Sequence, residues 1–153
     1  MQRRPLLAGN WKMYTNRAEA EALASALAAE LKNVKDRDIM IAPPNTALSS
    51  VSKVISRSPI LLAAQNVCWE EKGAFTGEVS PMMLKDVGCE LVIIGHSERR
   101  QIFGESNALI NKRLLGAQKY GLIPVFCIGE TIEQREANQT FSVLESQMRN
   151  RRS

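Results

Sequence analysis

Residues 90–100 read ELVIIGHSERR: an apolar run, a glycine, the only histidine of the chain, and then a cluster of charge. The apolar stretch does not alternate with polar residues, as a strand with one wet face would. A short continuous run of this kind suits a strand buried on both faces, which is characteristic of parallel sheets. The sharp change at Gly95 then marks the carboxyl end of that strand. His96 is either a working side chain at that end or simply the first polar residue outside a core, and position alone leaves both readings open.

Four more runs have the same character: PLLAG (5–9), DIMIAP (38–43), ILLAAQ (60–65) and LIPVFCIG (122–129). Between the first two, Ala20, Leu23, Ala24, Leu27 and Leu31 recur at three- and four-residue steps, with Thr15 or Asn16 placed to cap a helix. NTALSSVSKVIS offers Leu48, Val51, Val54 and Ile55 on one face. SPMMLKDVG has a capping Ser80, Pro81 in the first turn and Gly88 as a stop. In ESNALINKRLLGAQKYG, Leu109, Ile110, Leu114 and Ala117 form a stripe that ends at Gly121, and QTFSVLESQM begins another helix with Phe141, Leu144 and Met148. The pattern predicts an α/β protein of five βα units in one domain, without linker or repeat.

Composition narrows the function. The chain has 153 residues, 44% of them hydrophobic, enough for one core. No apolar run approaches the length of a membrane span, and the first residues lack the pattern of a signal peptide. A cytoplasmic protein is expected. Cys68, Cys89 and Cys127 are odd in number and scattered, with a single histidine to share a metal, so reduced thiols and no metal site are expected. Much of the net charge of +4 comes from Arg149, Arg151 and Arg152. The body shows no interleaving of aromatic and basic residues, so neither nucleic acid nor membrane is an expected partner.

In parallel α/β folds, ligands gather at the carboxyl ends of the strands. That edge should present Asn10 and Lys12, Pro43-Pro44-Asn45, Gln65-Asn66, His96-Ser97-Glu98 and Gly129-Glu130. Each has an ordinary structural reading taken singly: a solvated lysine, a charged loop at Glu98-Arg99-Arg100, a helix cap at Glu130. Together, a cation beside an imidazole suits chemistry in which negative charge develops on a carbonyl oxygen near an anionic group. The phosphate-loop, dinucleotide and serine-elbow motifs are missing from the sequence. One connection, NVCWEEKGAFTGEV (66–79), is long, with Phe75 at its apolar tip. It reads equally as a docking loop and as a loop folded onto its own core.

AGNWKM (8–13), NVCWEEKGAFTGEVSPMMLKDVG (66–88), VIIGHSERR (92–100) and CIGETIEQRE (127–136), in this order, closely resemble the triosephosphate isomerase family. The resemblance implies a (β/α)₈ barrel that interconverts dihydroxyacetone phosphate and glyceraldehyde 3-phosphate, a reaction of glycolysis and gluconeogenesis, with no cofactor. It implies that Asn10, Trp11 and Lys12 bind the phosphorylated triose, Lys12 neutralising the phosphate and the enediolate. His96 would be the electrophile, this family being the worked case of a neutral imidazole in that role. Ser97 and Glu98 would support it, Glu98 by fixing Lys12, and Cys127 and Glu130 match supporting positions. Phe75, Thr76 and Gly77 resemble the tip of a loop that inserts into the other subunit of a homodimer, with Thr76 beside Asn10 of the partner subunit. This moves the docking loop toward an interface.

A barrel of this kind takes around 250 residues and eight units, whereas five units are read here. The family's catalytic glutamate, the lid on its sixth unit and the phosphate-gripping amides after strands seven and eight have no counterpart in these residues. The expectation is an incomplete TIM barrel over 1–148 and a basic tail over 149–153, the end reflecting a truncation, an incomplete reading or a frameshift. Such a piece alone should be inactive, and its unpaired strand edges should favour aggregation or rearrangement. Two alternatives stand beside it. One is a non-catalytic flavodoxin-like module with strand order 2-1-3-4-5; the other is a pseudoenzyme that binds an anion or a partner subunit.

Overall fold

The structure, a computed structural model, describes residues 3–149. Five parallel strands, β1 (Leu6–Asn10), β2 (Asp38–Ala42), β3 (Ile60–Ala64), β4 (Leu91–Ile94) and β5 (Ile123–Phe126), lie side by side in the order β1-β2-β3-β4-β5. That sequential order excludes the flavodoxin-like alternative, which needs β1 between β2 and β3. It is the order of a barrel arc.

The apolar runs are continuous because each inner strand serves two apolar faces. Ile39 and Ile41, Ile60, Leu62 and Ala64, and Val92 and Ile94 point into the layer between sheet and helices. Their neighbours Met40, Ala42, Ala63, Leu91 and Ile93 form a second, smaller cluster on the opposite face. Each fully buried Ile or Val contributes roughly 1.5–3 kcal/mol.

Among the described residues, seven α-helices cross between or follow the strands: α1 (Arg17–Leu31), α2 (Leu48–Ile55), α3 (Pro81–Asp86), α4 (Ser97–Gln101), α5 (Asn107–Lys119), α6 (Ile132–Glu136) and α7 (Thr140–Arg149). Asn16, not Thr15, caps α1, in a reciprocal capping box with Glu19. Ser80 and Ser106 cap α3 and α5 by accepting the Met83 and Leu109 N–H groups. The short helix α4 follows His96, and α6 starts just after the helix cap read at Glu130, with Thr131 as the cap instead; five residues are too few for either to show an apolar period. Arg149 closes α7, and the rest of the expected basic tail, 150–153, lies outside the described residues.

The flanks depart from expectation. The continuous apolar runs predict strands buried on both faces throughout, yet Leu6, Leu7 and Ile123 are 42%, 51% and 60% exposed. β1 and β5 each have one strand neighbour among the described residues. On α7, Phe141 and Met148 are likewise exposed.

Candidate active site

The carboxyl ends of β1, β3 and β4 open onto a cleft of about 440 Å³, whose walls include Asn10, Lys12, Gln65, Glu78, His96 and Glu98. Lys12 lies two residues past β1 in the left-handed region, φ 54°, a conformation that costs a non-glycine residue roughly 1–3 kcal/mol. Both ends of its backbone are held. Its N–H donates to Asn10 Oδ1 at 2.9 Å, and its carbonyl accepts from Gln65 Nε2 at 2.7 Å. Gln65 Nε2 also donates to Ala42 O at 2.8 Å, and that same carbonyl accepts the Trp11 N–H at 3.0 Å. The amide of Gln65 thus ties the turn after β1 to the end of β2. Trp11 packs against the core behind the turn.

Lys12 Nζ is 2.8 Å from Glu98 Oε1. The hydrogen bond and charge of Glu98 raise the Lys12 pKa, and Lys12 lowers that of Glu98. Both side chains are nearly half exposed, so the pair orients the ammonium and adds little stability. His96 is the N-cap of α4, and its Nδ1 accepts the Glu98 N–H at 3.2 Å. Glu98 Oε2 lies 3.4 Å from the same nitrogen, but a backbone N–H can only donate, and the carboxylate is already neutralised by Lys12. In the neutral ring the proton therefore sits on Nε2, which is free to donate. The cause is this one N–H; a helix of five residues has little macrodipole to offer.

The remaining predicted residues are placed as follows. Ser97 opens α4 with its side chain in solvent. Cys127 packs with Val125 against the inner cluster, and burial raises its thiol pKa although Arg100 opposes the shift. Glu130 accepts from Thr140 Oγ1 at 3.1 Å, away from the cleft walls. Gly77 lines the cleft, whereas Phe75 and Thr76 are exposed at the loop tip. Phe75 meets Trp69 edge-on with ring centroids 5.5 Å apart.

The sequence reading missed how that loop is anchored. Cys68 N–H donates to Val79 O at 2.8 Å, closing its base. Gly116, inside α5, admits the Trp69 backbone so closely that an added Cβ would lie 2.6 Å from Trp69 Cα. Arg113, 3% exposed, grips both Glu78 carboxylate oxygens at 2.8 and 3.0 Å and donates to Val67 O. It also contacts Glu105 at 3.3 Å, and Glu105 binds Arg99 of α4 at 2.6 Å. The one available signal was Arg113 itself, three residues after Ile110 on an apolar stripe, where a cation needs partners. Arg99 and Arg100 likewise are bound and lie in α4, where the sequence suggests a charged loop. No group of three or more potential metal ligands occurs among the described residues.

Comparison with known proteins gives one consistent result. The family model described as triosephosphate isomerase matches residues 5–152. The chain is 54% identical to the triosephosphate isomerase of Syntrophotalea carbinolica over 96% of its own length and 58% of the relative's. The figures for that of Thermoanaerobacter sp. are 50%, 95% and 58%. The crystal structure of triosephosphate isomerase from Bartonella henselae superposes with a TM-score of 0.91 at 37% identity, covering 97% of this chain and 61% of that one. The chain thus spans less than two thirds of the length of these relatives, and its five strands form an incomplete (β/α)₈ barrel. On sequence and fold alike, it belongs to the triosephosphate isomerase family.

Proposed function

We propose that the cleft is the binding and electrophilic part of a triose-phosphate isomerase site. In this reading His96 Nε2–H donates to the substrate carbonyl. Lys12, fixed by Glu98, stabilises the phosphate and the negative charge that grows on oxygen as the enediolate forms. Asn10 holds the turn that carries Lys12. The reaction moves one proton between adjacent carbons and a second between the oxygens they carry, and needs no cofactor. The observation that carries this reading is the convergence of Lys12 Nζ, held at 2.8 Å by Glu98, and a His96 ring with Nδ1 committed to the backbone, on the wall of one cleft.

The carbon acid also needs a base, and the family's glutamate has no match in these 153 residues. A positioned general base contributes a factor of about 10²–10⁴, roughly 3–5 kcal/mol of barrier. The 153-residue polypeptide by itself is therefore proposed to lack appreciable isomerase activity. The loop tip Phe75-Thr76-Gly77 is proposed to dock into a second copy in a homodimer, Thr76 reaching Asn10 of the partner subunit. The rigid Glu78–Arg113 base and the exposed Phe75 support that role. A cytoplasmic setting accords with the buried free thiols of Cys68 and Cys89, the latter pushed up to about 12 by burial.

Titration calorimetry with a phosphate-bearing enediolate mimic tests the reading. Binding to the 153-residue chain that disappears in Lys12→Met, with no turnover of triose phosphate, is expected. Equal binding by Lys12→Met would overturn the assignment, and turnover near that of an intact relative would overturn the proposed inactivity.

A further inference from the structure

The parallel ladder between β4 and β5 runs one step past the strands, where the Cys127 N–H donates to Ile94 O at 2.9 Å. Beyond it the chains diverge, because Gly95 turns through φ +75° toward His96. The next two carbonyls, of Gly95 and Cys127, would lose their ladder partners there. Both accept from the side chain of Arg100 in the last turn of α4: Nε donates to Gly95 O at 2.8 Å and Nη2 to Cys127 O at 3.3 Å. Nη1 donates to Asn107 Oδ1, at the start of α5, at 2.7 Å. One rigid guanidinium thus bridges the turn that carries His96, the exit of β5 and the next helix. The turn has no slack, since a Cβ on Gly95 would lie 3.0 Å from both Arg100 Nη2 and Cys127 O.

We propose that Arg100 is a positioning residue for the His96 imidazole, its guanidinium acting as the last rung between β4 and β5. Holding Gly95 O fixes the plane of the Gly95–His96 peptide. That plane sets the axis about which His96 turns and hence whether Nδ1 meets the Glu98 N–H. Lysine cannot substitute, because a single ammonium lacks the planar fork that reaches three acceptors on three segments. The charge is half-buried among neutral acceptors, an arrangement that trades desolvation for geometry. Only the catalytic consequence of this role rests on the isomerase reading of His96.

The chain has one histidine, so nitrogen-15 NMR of the labelled imidazole in the full chain reports His96 without ambiguity. The wild-type ring should show Nδ1 as acceptor and the proton on Nε2. In Arg100→Lys the two nitrogen shifts should move toward those of a free imidazole. Unmoved shifts in a folded Arg100→Lys would overturn the proposal, even with a lowered melting temperature. Should circular dichroism show that variant unfolded, Asn107→Ala decides, since it removes the Nη1 acceptor and otherwise only a 3.5 Å hydrogen bond from Asn107 Nδ2 to Ser146 Oγ. A smaller move in the same direction supports the role, and none overturns it. The consequence for turnover is measured in the chain joined to the C-terminal units of a relative. There Arg100→Lys should lower kcat by about 10²-fold, the scale of a small misplacement of a reacting group, at unchanged KM. Moved ring shifts with wild-type kcat would uphold the positioning and overturn the isomerase reading of His96.

Discussion

β4 and β5 carry similar apolar sequences, LVII and IPVF, yet all four residues of β4 are buried and none of β5 is. β1 is like β5 in this respect. The difference lies in neighbours: among the described residues β4 is paired on both sides, whereas β1 and β5 are paired on one. Hydrophobic sequence therefore records the surroundings a strand is suited to, and burial records those it has here. The proposed site straddles the two conditions, with His96 following a central strand and Lys12 following a flanking one.

The strongest way to break this comparison is to cover the flanks. Joining residues 1–148 to the C-terminal three units of the Syntrophotalea relative should raise isomerase turnover over that of the 153-residue chain by at least about 10²–10⁴-fold, the contribution of a positioned base. The steady-state assay checks it, and a joined protein that stays inactive despite a native circular dichroism spectrum would remove the proposed site from consideration. Next in size is the buried anchor of the 66–79 loop. Arg113→Met leaves Glu78 and Glu105 without their shared cation, and breaking such a pair costs about 3–5 kcal/mol. Urea unfolding should show this loss, accompanied by faster proteolysis within 66–79.

The centre and flank can be compared directly by truncation. Ile94→Ala, at a position 1% exposed, should cost about 2–5 kcal/mol. Leu7→Ala, at a position 51% exposed, should stay within about 0.5 kcal/mol in the 153-residue chain. Its cost should rise severalfold in the joined protein, where a neighbouring strand covers β1. Equal costs for Leu7→Ala in both settings would show that the open edge is not what exposes it.

These contrasts also explain what the sequence could reveal. The five strands were legible because two buried faces require apolar residues without interruption, and α1 and α5 because their stripes run for several turns. The order of strands was not, since 1-2-3-4-5 and 2-1-3-4-5 place the same patterns in the same sequence. Lys12, His96 and Glu98 could be gathered on one edge from their positions after strands. The tautomer of His96 depended on one backbone N–H, and the grip on Lys12 on an amide 53 residues away at Gln65, neither of which has a local signature. Arg113 and Glu105 were hidden for a related reason: a buried ion pair between distant segments looks, along the chain, like surface charge.

The smallest predicted effect separates two carboxylates with the same direction of shift. Glu78 and Glu98 both have pKa values below the ordinary 4.5, each through a hydrogen-bonded cation, Arg113 and Lys12 respectively. A lowered folded-state pKa means that the unfolded chain binds the proton more readily. The contribution is thus complete above the unfolded value and lost as pH falls through the folded one. For Glu78, held against the buried Arg113, this loss should appear as a falling unfolding midpoint in acid, and Glu78→Gln should flatten that slope. For Glu98 the same sign applies, but its pair with Lys12 is open to solvent, which screens it. Glu98→Gln should leave the slope of the midpoint against pH unchanged while loosening Lys12, read as weaker binding of the phosphate-bearing mimic at neutral pH. Were Glu98→Gln to flatten the slope as much as Glu78→Gln, the cleft pair would be part of the structural frame, and the division between a rigid centre and a solvent-facing site would have to be redrawn.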